Sequence, residues 1–119
     1  MKKILIVDDS MSMVRMIQSV LEKNGYQSIG INDPCSIEQA IDTEHPNLIL
    51  LDVVMPERNG FQICRALKAS KTYMDIPVIV VSSKSTVSDR YWAEQQGANG
   101  YVVKPFAPEE LLREVRKFA

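Results

Sequence analysis

Along the chain, short apolar runs alternate five times with longer stretches in which apolar residues recur every three or four positions. The runs at 3–7, 27–31, 48–51, 78–81 and 100–103 predict strands, and the stretches at 11–24, 36–44, 61–69, 86–96 and 109–118 predict amphipathic helices. Val14, Ile17 and Leu21 make one apolar stripe; Leu111, Leu112, Val115 and Phe118 make another. The residues between these segments fit helix ends. Ser10 is an N-cap and Asn24-Gly25 closes the first helix. Asp33-Pro34 supplies the second helix with a cap and a proline in its first turn. Gly97 ends the fourth helix and Pro108 opens the fifth. Glu109 and Glu110 then sit at the positive end of that helix's dipole, with Arg113, Arg116 and Lys117 towards the negative end.

Strictly alternating βα units with right-handed crossovers build a parallel sheet covered by helices on both faces. The first, third and fourth runs (Ile4-Leu5-Ile6-Val7, Leu48-Ile49-Leu50-Leu51, Val78-Ile79-Val80-Val81) are apolar throughout, as strands buried on both faces must be. The second, Gln27-Ser28-Ile29-Gly30-Ile31, is mixed and suits an edge. The expected fold is therefore α/β: a flavodoxin-like (βα)5 three-layer sandwich with sheet order 2-1-3-4-5, occupying 1–119 as one domain.

In such a sheet, ligands bind beyond the carboxyl ends of the strands, where the strand order reverses. Here the first strand runs into Asp8-Asp9, the third into Asp52, the fourth into Ser82-Ser83 and the fifth into Lys104. One aspartate after a strand is ordinarily a cap or turn former. Three gathered at one point are different. Carboxylates a few ångströms apart repel by about 4 kcal/mol per pair at an effective dielectric near 20, and Lys104 brings a single positive charge. A divalent cation is the natural remedy, and an all-oxygen ligand set favours Mg²⁺, with Mn²⁺ as a substitute, over zinc.

Composition removes several classes of function. Hydrophobic residues are 45% and charged residues 24% of the 119, the balance of a soluble globular domain with one core. Fourteen basic residues against fifteen acidic ones leave a net charge of -1, without the basic excess that domains binding nucleic acid through phosphate contacts usually carry. No apolar run is long enough for membrane insertion. Cys35 and Cys64 are far apart and outside any Cys-x-x-Cys pair, which fits reduced thiols in a cytoplasmic chain. His45, before Pro46 in a surface loop, is the only histidine, so a hydrolase built on a catalytic imidazole is set aside.

Four segments, taken together, resemble the receiver domain of bacterial response regulators: Val7-Asp8-Asp9-Ser10, the run Asp52-Val53-Val54-Met55-Pro56-Glu57-Arg58-Asn59-Gly60, the strand end Val80-Val81-Ser82-Ser83, and Lys104-Pro105-Phe106. The resemblance spans Lys3 to Phe118. It implies a two-component, CheY-like signalling protein rather than an enzyme. Asp52 is then the acceptor of a phosphoryl group from the phosphohistidine of a sensor histidine kinase or phosphotransfer protein. Small phosphodonors and slow self-dephosphorylation are also implied. By the same resemblance Asp9, Asp52 and the Val54 backbone carbonyl hold Mg²⁺, Asp8 acts through a metal-bound water, and Lys104 pairs with a phosphoryl oxygen. A cis Lys104–Pro105 bond aims that ammonium. Ser82 is the switch hydroxyl, where many relatives have threonine, and Tyr101 the switch aromatic. Residue by residue Tyr101 alone reads as a half-buried core tyrosine. Val54 and Lys84 stand two places after Asp52 and Ser82, on the path of attacking water, and so bear on phosphoryl lifetime.

The implied output is the face formed by the fourth helix, fifth strand and fifth helix, docking a downstream protein as a monomer or a phosphorylation-dependent dimer. The fourth helix has few apolar residues and is expected to pack loosely, with Trp92 partly exposed. Its stretch 89–98 is similar to receivers of type IV pilus and twitching-motility systems, which points to motility machinery. A stand-alone receiver is the primary expectation. The alternatives are a receiver cut from a longer regulator and an unphosphorylated scaffold of the same fold. A flavodoxin-like cofactor binder needs a Ser/Thr/Gly-rich loop where Asp8-Asp9-Ser10-Met11 stands. A metal-dependent phosphatase needs a second aspartate where Val54 stands.

Overall fold

The computed structural model describes residues 2–55 and 58–119. The elements run β1 (Lys3–Val7), α1 (Met11–Lys23), β2 (Gln27–Ile31), a 3-10 turn (Pro34–Ser36), α2 (Ile37–Glu44), β3 (Leu48–Leu51), α3 (Gly60–Ala69), β4 (Val78–Ser82), α4 (Val87–Gln95), β5 (Gly100–Val103) and α5 (Pro108–Phe118). The sheet is parallel, in the order β2-β1-β3-β4-β5. This is the expected flavodoxin-like sandwich.

Because side chains alternate across a strand, each central strand feeds two cores. Ile4, Ile6, Leu48, Leu50 and Ile79 face Val14, Ile17 and Leu21 of α1 and Leu111, Leu112 and Val115 of α5. Leu5, Val7, Ile49, Leu51 and Val78 face Ile37 and Ile41 of α2 and Ile63, Cys64 and Leu67 of α3. Full burial of each such side chain contributes about 1.5–3 kcal/mol. The cluster under α4 is much smaller: Val53, Val80 and Ala93, with Phe61 and Tyr101 packed against it.

The helix ends follow the local chemistry. Ser10 Oγ accepts from Met13 N–H (3.3 Å), and Gly25 and Gly97 take positive φ just beyond α1 and α4. The Ala107 N–H donates to Glu110 at the start of α5 (2.9 Å). Several boundaries fall one residue from expectation, and two of the differences involve capping or site residues. Asp33-Pro34 opens the 3-10 turn rather than α2 itself, with Asp33 accepting from Cys35 N–H (3.0 Å), because a cap and a proline need only one tight turn. Ser82, expected just past the fourth strand, is its last residue, paired with Val103. His45 is exposed and closes α2 in the left-handed region (φ 50). Among the described residues no helix is long and apolar enough to cross a membrane.

Candidate functional site

The register of the sheet assembles the polar strand ends. Val7 is level with Leu51, so Asp8 and Asp52 leave neighbouring strands side by side. The ladder continues one step further: the Asp52 N–H donates to the Val7 carbonyl (2.9 Å) and the Lys104 N–H to the Ser82 carbonyl (2.8 Å). Carboxylate oxygens of Asp8, Asp9 and Asp52 come within 4.8 Å of one another. Asp8 and Asp52 are buried, at 3% and 6% exposure, and Asp9 is exposed. Two buried carboxylates and an exposed third are more than caps require.

Lys104 supplies the only ion pairs to this cluster among the described residues. Its Nζ lies 2.6 Å from Asp8 Oδ2 and 3.8 Å from Asp52 Oδ2, and the Lys104–Pro105 peptide bond is cis. The remaining Asp8 oxygen accepts from the Ser10 N–H (3.0 Å) and an Asp52 oxygen accepts from the Val54 N–H (3.3 Å). Burial pushes the Asp52 carboxyl above the ordinary aspartate value; Lys104 opposes this, and Asp8 and Asp9 add to it. One ammonium among three carboxylates leaves an excess of negative charge. Hard oxygen donors with one open, solvent-facing side fit a Mg²⁺ ion.

The loop after Asp52 is fastened at several points. Val53 is buried in the small cluster under α4, whereas Val54 is 54% exposed at the rim. Pro56 and Glu57 of the motif lie outside the described residues. Arg58 Nη1 donates to both oxygens of Glu38 on α2 (2.7 and 3.0 Å) and to the Pro34 carbonyl (3.3 Å). Asn59 caps α3 by accepting from the Phe61 N–H (2.7 Å). At Gly60 a Cβ would overlap the Asp52 carbonyl and the Val53 Cα, so only glycine lets α3 start against the end of β3.

On the other side, Ser82 is fully buried and its Oγ accepts from the Lys84 N–H (3.2 Å). The Tyr101 hydroxyl donates to the Lys84 carbonyl (2.7 Å), and the Arg90 guanidinium sits 5.6 Å from the centre of the tyrosine ring. Burial raises the Tyr101 phenol above its ordinary value. Tyr101 is half-buried, and its hydroxyl spans to the loop that starts at Ser82. α4 is held as loosely as its sequence suggests: Ala93 is its one buried residue.

The structure thus gathers Asp8, Asp9, Asp52 and Lys104 at one point, and links Ser82, Lys84 and Tyr101 beside it. Three features, made by five residues, have little or no signal in the local sequence. Arg58 and Glu38 are distant in the chain, and no local pattern signals their pairing. The Cys64 thiol donates to the Gln96 carbonyl (3.4 Å), tying α3 to the end of α4. Gly60 did carry a signal, a glycine in the first turn of a helix, where propensity disfavours it.

Comparison with known proteins agrees with this geometry. The sequence profile of the response regulator receiver domain matches residues 4–116. Over 115 residues, the chain is 39% identical to a probable transcriptional regulator ycf27 of Cyanophora paradoxa, covering 97% of this chain and 47% of that protein. It is 37% identical to protein PilH of Pseudomonas aeruginosa, covering 97% of this chain and 95% of that one. The chain spans about half the length of the first curated relatives it matches. Among solved structures, chemotaxis protein CheY4 of Vibrio cholerae superposes with a TM-score of 0.92 at 28% identity, over 100% of this chain and 99% of that one.

Proposed function

The chain belongs to the response regulator receiver domain family, whose members act in two-component signalling, and from that premise we propose that Asp52 is its phosphoryl acceptor. The observation that carries the reading is the buried Asp52 carboxylate, level with Asp8, within 4.8 Å of two further carboxylates and 3.8 Å from the Lys104 ammonium. An Asp52 oxygen attacks the phosphorus of a phosphohistidine, the phosphorus–nitrogen bond breaks, and the imidazole leaves with its electron pair. The product is an acyl phosphate on Asp52. Positioning and charge neutralisation supply most of the catalysis in such transfers. Asp9, Asp52 and the Val54 carbonyl would hold Mg²⁺, with Asp8 through water; a bound Mg²⁺ neutralises charge on the phosphoryl oxygens. The Lys104 ammonium pairs with another of those oxygens. Ser82 donates its hydroxyl proton to the phosphoryl group, and Lys84 and Tyr101, hydrogen-bonded to one another and to Ser82, carry the change to the α4–β5–α5 face.

The kinase or phosphotransfer donor and the downstream protein are both cytoplasmic partners in this reading, and residues 1–119 act as one receiver. The similarity of the stretch 89–98 to receivers of twitching-motility systems makes motility machinery the downstream target. A second reading, a receiver portion of a longer regulator, is favoured by the half-length coverage of several relatives. The mass of the native protein separates the two. Intact mass after incubation with Mg²⁺ and acetyl phosphate tests the core of the proposal. One phosphoryl group should be added, and should be lost in Asp52→Asn and in chelator. No addition from either acetyl phosphate or a phosphorylated kinase, with no Mg²⁺ bound, would leave an unphosphorylated scaffold.

A further inference from the structure

α4 is the helix the sheet holds least, and its apolar residues are turned outward. Val87, Tyr91 and Trp92 are 84%, 59% and 53% exposed. A single exposed apolar residue is ordinary, but these adjoin one another. With Phe61 of α3 they line one groove of about 670 Å³ between the two helices. A second hollow, lined by Phe61, Arg65 and Trp92, continues it along α3. Contiguous apolar surface of this kind marks an interaction site.

The two ends of the groove are cationic. Lys84 lines it next to Ser82, and Arg65 lines its continuation. Among the described residues neither forms an ion pair. Asp89 is the one carboxylate on the groove wall, and it is engaged in the α4 cap, accepting from the Thr86 N–H (3.1 Å) and hydroxyl (2.7 Å). Asp89 also faces Lys84 electrostatically but makes no close ion pair with it, so an aromatic floor between two cations calls for a particular complement. We propose that the α3–α4 groove docks a short amphipathic helix of a partner protein, apolar on one face and carrying acidic side chains at both ends of that face.

The dimensions agree. Val87 to Trp92 rises about 7.5 Å along α4, so about two turns of helix cover the floor. The site extends away from the α4–β5–α5 face: Arg90 packs towards Tyr101, Trp92 lies roughly 200° around the helix from it with Val87 and Tyr91 on the arc between, and the far wall is Phe61 and Arg65 of α3. It is also wired to the switch: Lys84 gives its N–H to Ser82 Oγ and its carbonyl to the Tyr101 hydroxyl. Turning Ser82 towards a phosphoryl group withdraws the acceptor from the Lys84 N–H and moves one end of the groove. This coupling clause rests on the phosphoryl-acceptor reading; the docking clause does not. By linkage, a helix that prefers one phosphorylation state shifts the population of that state.

Trp92 is the single tryptophan and reports on the groove directly. The probe is a synthetic helical peptide of about 14 residues with Leu and Phe on one face and Glu at both ends of it, compared with the same peptide carrying Lys in place of Glu. The Glu peptide should give a saturable change in Trp92 emission with affinity about tenfold tighter than the Lys peptide. The order should reverse in the Lys84→Glu/Arg65→Glu chain. Equal affinity for both peptides, an order unchanged in that chain, or no saturable change would overturn the docking. Concentration-dependent burial of Trp92 without peptide would assign the groove to a second copy and overturn it equally. Repeating the titration on chain whose phosphorylation is confirmed by mass should change the affinity about threefold or more. An unchanged affinity overturns the coupling. Failure to phosphorylate at all counts against the acceptor reading and leaves the docking measurement standing.

Discussion

Replacing Asp52 with asparagine is expected to make the domain more stable while abolishing phosphoryl acceptance. In the native chain the Asp52 carboxylate is buried within 4.8 Å of Asp8 and Asp9 oxygens. At an effective dielectric near 20 each of these repulsions costs about 3 kcal/mol, and Lys104 at 3.8 Å returns about 4 kcal/mol. The balance is unfavourable by about 2 kcal/mol, reduced to about 1–2 kcal/mol because Asp9 is exposed and screened. Asparagine removes the charge and keeps an oxygen for the Val54 N–H. A melt in chelator at neutral pH should therefore show a Tm about 3–8 °C higher than native. The pH dependence gives a second check. The folded-state pKa of Asp52 is raised above its ordinary value of 3.8, so the native chain is least penalised when the group is protonated. The penalty appears as pH rises from 3.8 through the folded pKa and then levels off, so the advantage of the variant should vanish on acidification. Mg²⁺ should stabilise the native chain more than the variant and narrow the gap. An Asn variant no more stable than native in chelator, or a difference that persists at acid pH, would refute this account of the site.

Lys104→Ala removes the only cation that, among the described residues, pairs with buried Asp8 and Asp52; it should cost about 2–4 kcal/mol in urea unfolding, partly restored by Mg²⁺. Gly60→Ala forces the start of α3 away from Asp52 and should cost about 2 kcal/mol or more and weaken Mg²⁺ binding in calorimetry, although residue 60 carries no ligand. Burial pushes the Cys64 thiol up to about 11, so a thiol reagent near pH 8 should modify exposed Cys35 and reach Cys64 only after unfolding, as peptide mapping would show. Val54 sits exposed beside Asp52 with no polar group to orient water, so on the proposed function Val54→Asn should shorten the phosphoryl lifetime followed by mass; a longer lifetime would contradict this.

The strands and helices follow closely from local chemistry. Runs such as Leu48-Ile49-Leu50-Leu51 have no polar face and must be covered on both sides, which places them in the centre of the sheet. Ser10, Gly97 and Pro108 set helix ends through hydrogen bonds and backbone angles within a few residues. At Asp33-Pro34 a tight turn stands where a helix start is expected, because the two share the same capping pattern over so short a span.

By itself, then, the sequence determined which strands are buried on both faces, which one suits an edge, and that Asp8, Asp9, Asp52 and Lys104 each follow the end of a strand; the sheet order they fit is the one that brings those ends together. Tertiary structure alone decided how that meeting works: which carboxylates are buried, that Lys104 lies closer to Asp8 than to Asp52, that Arg58 reaches Glu38, and that Tyr101 is tied to Lys84. The physical reason is range. Hydrophobic pattern and capping act over a turn or a strand and are written in neighbouring residues. Burial, charge pairing and close backbone approach depend on groups brought together from distant parts of the chain, and their distances exist only once the layers have packed.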